Sequence, residues 1–318
     1  MKRRSFLALP LVAVIPDKKF SFPRDHGAHP EFRTEWWYIT GWLDGPVGFQ
    51  ITFFRFRPEV DEANPSAFNP RRILVAHAAL ADPKVGRLVH EERAARAGFS
   101  LAEAEETRTA VWIDDWRLEQ AGDRYDARIP GAELDLGLSF LARQTVLQGQ
   151  GGFSRKGPRP GEASYYYSRP HLAVAGKVNG REVTGSAWLD HEWSSAYLAP
   201  EAAGWDWCGI NLFDGGSLMA FRMRKNGGGV YYADPGTSFE VLRMWKSPRT
   251  GASYPVEMMV KTKDRRLRLV PLMDDQELDA RASTGTIYWE GAVRALANGA
   301  DAGRGYLELT GYGAPLRL

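Results

Sequence analysis

Glu35-Trp36-Trp37-Tyr38-Ile39-Thr40-Gly41-Trp42-Leu43 is the stretch that decides the fold. It is dense in bulky β-formers, and an extended chain sends successive side chains to opposite faces. Glu35 and Trp37 then share one face, and Trp36 and Tyr38 share the other. Working outward, the same period of two recurs along the chain. Val47 to Arg57, Ile73 to Ala81 and Val111 to Leu118 read as strands, and Leu134, Leu136, Leu138 and Phe140 stand on every second position. His171 to Val178, Glu182 to Leu189, Trp205 to Phe213 and Ser217 to Lys225 continue the series. Pro255 to Lys263, Arg265 to Pro271, Thr286 to Leu296 and Tyr306 to Tyr312 complete it. Asp44-Gly45-Pro46, Asn179-Gly180, Asp214-Gly215-Gly216 and Asn226-Gly227 supply hairpin turns. Only His90 to Ala97, with an extension through Leu101 to Arg108, favours a helix. The expectation is an all-β protein.

More than a dozen short strands at close spacing call for antiparallel barrels or sandwiches. The 318 residues exceed what one barrel uses, and at roughly 150 residues per domain they suggest two. The Ala-, Pro- and Gly-containing stretch Leu198 to Gly204 marks the junction, dividing residues 20–198 from 199–318. Gly149 to Ala163 reads as a mobile loop over a cavity mouth. Residues 1–19 read differently. Lys2-Arg3-Arg4-Ser5-Phe6-Leu7 and an apolar run to Ile15 match a twin-arginine export signal, which implies a periplasmic or secreted protein. A basic N-terminus on a cytoplasmic protein is the alternative. No other run approaches the ~18 apolar residues of a membrane span, although peripheral membrane association stays open.

Lys and Arg number 41 against 39 Asp and Glu, so charge offers no case for a nucleic-acid partner. The single cysteine, Cys208, excludes an intramolecular disulfide and a multi-cysteine metal site, and reads as inert packing. The distinctive feature is aromatic: seven of the eleven tryptophans fall in Trp36 to Trp42, Trp188 to Trp193 and Trp205 to Trp207, each stretch carrying an acid. Trp188-Leu189-Asp190-His191-Glu192-Trp193 is the most suggestive, with Asp190 and Glu192 on one face and His191 and Trp193 on the other. Carboxyls among indoles have their charged forms disfavoured and can act as acids near neutral pH. Glu35, on the inner face of an aromatic barrel, is expected to have a raised pKa for that reason. Glu35, Asp190, His191 and Glu192 are therefore the candidate catalytic residues. Trp36, Trp37, Tyr38, Tyr165, Tyr166, Trp193, Trp205, Asp206 and Trp207 are candidates for lining the substrate site, with His77 from an apolar strand. Indole faces can also steady a cationic intermediate. His26 and His29 read as exposed imidazoles in a turn, with a metal site the lesser alternative. Neither metal nor cofactor enters the reading.

Several motifs together resemble one family. They are Phe22-Pro-Arg-Asp-His-Gly27 with Thr34-Glu-Trp-Trp-Tyr38, Tyr165-Tyr-Tyr-Ser-Arg-Pro170, and Thr184-Gly-Ser-Ala-Trp-Leu-Asp-His-Glu-Trp193. Gly204-Trp-Asp-Trp207, Tyr288-Trp-Glu-Gly291 and Gly305-Tyr-Leu-Glu-Leu-Thr-Gly-Tyr312 complete the set. From about Phe20 onward the chain is similar to bacterial hydroxyneurosporene synthases (carotenoid 1,2-hydratases) and AttH-like secreted hydrolases. The resemblance implies two tandem lipocalin-like (calycin) antiparallel β-barrels. It also implies addition of water to an isoprenoid- or lipid-like substrate without a cofactor, with export favouring the AttH-like branch. A non-catalytic periplasmic lipocalin-like protein that binds an apolar ligand is the competing expectation.

Overall fold

The structure, a computed structural model, describes residues 19–60, 63–66 and 68–316; the export-type segment Met1 to Pro16 lies outside them. The stretch quoted first is a strand, Thr34–Leu43. It turns at Gly45 (φ 87°) into Val47–Phe56 and pairs on its other side with Arg181–Ser194. Among the described residues, thirteen strands lying between Thr34 and Ser194 form one antiparallel sheet. It runs outward from that pair through Ile73–Ala81 to Leu88–Arg96 on one side. On the other side Ala163–Val178 leads to the short strands between Ala102 and Leu141. The sheet curls until its ends approach, where Arg93 Nη1 donates to Ile113 O at 3.4 Å. Trp37, Ile39, Phe49, Ile51, Phe53, Trp116, Phe140 and Leu189 fill its concave side.

A second sheet, nine strands among the described residues between Ala202 and Leu309, curls around Cys208, Ile210, Val256, Met258, Leu269, Trp289 and Leu307. Cys208 is fully buried, and burial pushes its thiol pKa up to about 12, which makes it an unreactive packing group. The two barrels meet through convex faces. Trp42, Trp188, Tyr197, Trp207, Phe221 and Tyr306 pack there, and Trp42 Nε1 donates to Gly305 O at 2.9 Å. Gly48 permits the approach, since a Cβ there would come within 2.6 Å of Ala292 Cβ and the Tyr306 hydroxyl. No helix among the described residues is long and apolar enough to cross a membrane.

The expected hairpin at Asn179-Gly180 forms with both residues at positive φ, 49° and 77°, as a two-residue turn that follows strand twist requires. Three local expectations fail. His90 to Ala97 is no helix but part of the Leu88–Arg96 strand, and Ala102–Ala104 is a strand as well. Glu and Ala favour helix locally, but pairing with Ile73–Ala81 and long-range bonds override that weak preference. Glu91 accepts from the Glu133 backbone N–H at 2.7 Å, for instance. Val111 to Leu118 is not one strand but a hairpin, broken at Asp114 with φ 56°. Gly149 to Ala163 is not a bare loop: Phe153–Arg155 pairs with Ala163 to Tyr165, and Lys156 is buried.

Candidate functional site

The period of two splits the expected acids between two places. Asp190 and Glu192 leave the convex face of their strand together with Trp36 and Tyr38 of the neighbouring strand. They line a cavity of about 310 Å³ between the barrels. The second barrel closes it with Trp205, Trp207, Tyr288, Glu290 and Glu308. Phe54, Val75 and His77 extend the first barrel's wall. Glu35, Trp37, Tyr165, His191 and Trp193 point the other way, into the first barrel, and do not reach the cavity. Asp206 also faces away from its neighbours Trp205 and Trp207. It takes Arg222 Nε at 2.6 Å, Arg224 Nε at 2.9 Å and the Tyr312 hydroxyl at 3.0 Å. Of the candidates, Trp36, Tyr38, His77, Asp190, Glu192, Trp205 and Trp207 converge on the cavity, with Tyr166 behind Asp190.

Four carboxyls meet there. Asp190 Oδ1 accepts from Ser168 Oγ at 2.5 Å and Trp188 Nε1 at 2.6 Å, and Oδ2 accepts from the Tyr166 hydroxyl at 2.7 Å. All three donors are neutral. Burial outweighs them and lifts the Asp190 pKa to about 7. Glu192 is also raised by burial, against the opposing pull of Lys156, whose Nζ lies 2.7 Å away. That ammonium comes from the Gly-rich segment and sits 4.1 Å from the Phe221 ring centroid. Glu290 and Glu308 stand directly opposite each other on adjacent strands. Like charges so placed repel; Glu290 is buried and Glu308 half-buried. Burial first, then Glu308, holds Glu290 well above the usual carboxylate range. Burial lifts Glu308 to about 7, against the opposing hydrogen bond from Trp205 Nε1 at 3.0 Å. Glu290 Oε1 and the Tyr38 hydroxyl are buried at the cavity wall without a hydrogen bond of ordinary geometry, although Tyr38 lies close enough to oppose part of the rise in the Glu290 pKa.

The other face is organised differently. Glu35 Oε1 lies 2.8 Å from His29 Nδ1 and 2.9 Å from His191 Nε2, and Arg55 Nε donates to Oε2 at 2.8 Å. The His29 backbone N–H donates to the same carboxylate at 2.9 Å. Burial alone would raise Glu35; His191, His29 and the Arg55 charge overcome it and hold the carboxyl well below its ordinary range. Glu35 is thus a permanent anion, contrary to the raised pKa expected of it. Burial lowers His191 to about 4 and His26 to about 3, so both rings are neutral near pH 7. His26 and His29 are buried rather than exposed, and His29 stacks on Trp193 with centroids 3.7 Å apart. One ligand atom each from His29, Glu35 and His191 lies within 4.8 Å of the others, a spacing a metal ion could use. The donor set argues otherwise: a guanidinium already neutralises the carboxylate, and the pocket around it is fully packed. The cluster is a closed ion-and-hydrogen-bond core.

Glu290, Glu308 and Lys156 were not foreseen. The two glutamates lie in the Tyr288-Trp-Glu-Gly and Gly305-Tyr-Leu-Glu segments. There, the alternation applied to Trp36 and Tyr38 would have placed each on the face of a tyrosine, Tyr288 and Tyr306.

Comparison with known proteins agrees with this architecture. A crystal structure assigned as an AttH of Nitrosomonas europaea is 47% identical, covers 94% of this chain and 99% of that one, and superposes with a TM-score of 0.88. Kievitone hydratase of Nectria haematococca shares the fold at a TM-score of 0.65 over 96% and 95% of the two chains, with 12% identity. None of the curated proteins matches the sequence. The AttH-like family pattern matches residues 13–312, and the chain belongs to that family.

Proposed function

We propose that this protein is a cofactor-independent hydratase or hydrolase. It acts on an apolar, isoprenoid- or lipid-like substrate in the cavity between the barrels. One observation carries the reading: two carboxyls with pKa values near 7, Asp190 and Glu308, share an indole-lined cavity with a third, Glu290, which burial and Glu308 hold well above the usual carboxylate range. Such a set holds a neutral acid and an anionic base together at neutral pH. In hydration, a neutral carboxyl of the Glu290–Glu308 pair would give its proton to one alkene carbon. Water would add to the other carbon, and a neighbouring carboxylate would take the proton that water loses. The proton count of the cluster is then restored. Trp36, Trp205 and Trp207 would steady the cationic carbon through their ring faces. A fold shared with a hydratase supports the choice of reaction. The twin-arginine-type segment supports work outside the cytoplasm.

A second reading, a carrier for an apolar ligand with a polar end, is favoured by the unbonded Tyr38 hydroxyl and Glu290 Oε1. One experiment separates the two. Acyclic isoprenoids and lipids are incubated with the protein in oxygen-18 water, and products are weighed by mass spectrometry. Hydration adds one labelled water, and Glu290→Gln lowers the rate ~100-fold or more, the usual range for a lost acid or base. An apolar ligand extracted unchanged from the purified protein, with no labelled product from any substrate, would decide for the carrier.

A further inference from the structure

At one end of the cavity four residues form a single hydrogen-bonded line that the proposed chemistry does not use. His77 is 1% exposed; its Nδ1 lies 2.8 Å from the Tyr288 hydroxyl and its Nε2 lies 2.9 Å from Ser283 Oγ. Ser283 Oγ in turn lies 2.5 Å from Glu92 Oε2, with a weaker contact to Ala280 O at 3.4 Å. His77 and Glu92 are directly paired across adjacent strands of the first barrel, while Ser283 and Tyr288 belong to the second. Three of the four line the cavity, and Glu92 keeps 19% of its side chain exposed. The line therefore runs from the protein surface to the cavity wall.

The chemistry of the groups sets the direction of every bond. A carboxylate only accepts, so Ser283 gives Glu92 its one proton. Ser283 Oγ is left as an acceptor, which places the ring proton on His77 Nε2. Nδ1 is then bare and accepts the Tyr288 O–H. Burial, with His90 nearby, lowers the His77 pKa to about 3, so the ring is neutral, as a single N–H requires. Phe54 packs against the ring with centroids 5.3 Å apart, Thr52 stands opposite His77 on the neighbouring strand, and among the described residues the titratable groups near the ring are His90, Glu92 and Tyr288.

We infer that Tyr288, His77, Ser283 and Glu92 form a proton relay connecting the cavity with bulk water. In one passage the Tyr288 O–H breaks as Nδ1–H forms, and Nε2–H breaks as a new Ser283 O–H forms. The old Ser283 O–H breaks as Glu92 O–H forms. The Tyr288 oxygen recovers a proton from the cavity, where Glu290 lies two residues along the same strand face. The part-exposed Glu92 then gives its proton to bulk water, so that one proton has left the cavity, the ring has changed tautomer, and no imidazolium has formed. Reversal brings a proton in. A cavity filled by an apolar substrate excludes water, and such a route lets its acids stay in equilibrium with the bulk pH while it is filled. That purpose rests on the proposed function; the relay and its test do not.

The test is nitrogen NMR of the full chain labelled at histidine, without substrate, with the His77 signals assigned by their loss in His77→Gln. The relay requires a protonated Nε2 and a bare Nδ1 near pH 7. Ser283→Ala leaves the ring and Tyr288 in place, yet removes the Nε2 preference. Unaltered signals from the other histidines show that this variant is folded. A ring protonated on Nδ1 at neutral pH, an imidazolium there, or a Ser283→Ala spectrum like the wild type's would each overturn the relay. None of these outcomes bears on turnover by Glu290→Gln, so the two readings fail separately.

Discussion

The Thr34–Leu43 and Arg181–Ser194 strands carry acids on both faces, and the faces treat them in opposite ways. Glu35, on the concave side, and Asp190, on the convex side, are both almost wholly buried and both hold several hydrogen bonds. Glu35 is driven well below its ordinary pKa and Asp190 is lifted to about 7. Burial is common to the two, so it does not explain the difference. Their partners do. Glu35 is bonded by the His191 and His29 rings and also touched by the Arg55 guanidinium, whereas Asp190 is bonded only by neutral hydroxyl and indole groups and stands near Glu192. Hydroxyl and indole donors only soften the cost of a buried anion; two imidazoles and a paired cation together overcome it. One face is thereby a structural anchor and the other a store of protons.

Replacing Glu35 tests the anchor and carries the largest expected effect. Glu35→Gln leaves Arg55 buried beside a neutral group, and breaking a buried pair in this way costs about 3–5 kcal/mol. Urea unfolding at neutral pH measures it, and a loss under ~1 kcal/mol would refute the anchor role. The pH dependence has a definite sign. A carboxyl with a depressed folded pKa contributes stability above its unfolded value of about 4.3, and loses it as pH falls through the folded value. The wild type should therefore show an acid limb of destabilisation that Glu35→Gln flattens.

Glu308 should show the opposite limb, with a smaller amplitude. Its folded pKa of about 7 lies above the unfolded value, so the stability it contributes is complete below about pH 4 and drains away as pH rises through 7. At 1.36 kcal/mol per pK unit, and allowing for a side chain only half-buried by surface area, the loss is on the order of 1–2 kcal/mol. Thermal unfolding from pH 4 to 8 measures it. Glu308→Gln should hold its Tm better than the wild type over the upper half of that range; an identical fall in both would show that this carboxyl is ionised without penalty.

The assignment of acids to faces was legible in the sequence because strand periodicity is local. One pairing was legible too. Glu35 and Arg55 each lie ten residues from Gly45, so hairpin arithmetic alone sets them across from each other; the Asn298-Gly299 turn would by itself set Glu290 opposite Leu307, and a one-residue register shift between Ala295 and Leu296 brings Glu308 there instead. What period two cannot carry is which face a cavity uses. The barrels meet convex face to convex face, a long-range event that makes the outer Asp190 and Glu192 line a cavity and leaves Glu35 inside. The misread helix at His90 to Ala97 has a related origin, since its helical composition is local and the strand partners that override it are not.

The two tyrosines beside these acids refine the comparison at the scale of a single hydroxyl. Tyr166 is fully engaged: it donates to Asp190 Oδ2 and accepts Trp207 Nε1–H at 3.0 Å. Tyr38, also buried at the same cavity, makes no hydrogen bond of ordinary geometry and has only a looser contact with Glu290. Removing a bonded hydroxyl strands its partners, whereas removing an unbonded one strands nothing. Tyr166→Phe should therefore cost about 1–3 kcal/mol in urea unfolding and push the Asp190 pKa higher by deleting a donor to the charged form. Tyr38→Phe should stay within ~0.5 kcal/mol of the wild type, or gain slightly, because a buried polar atom without a partner is a cost of folding rather than a support. Equal losses in the two variants would mean that Tyr38 is held by the fold as tightly as Tyr166. If stability holds in Tyr38→Phe while an apolar ligand with a polar end binds less tightly, the idle hydroxyl is kept for the occupant of the cavity.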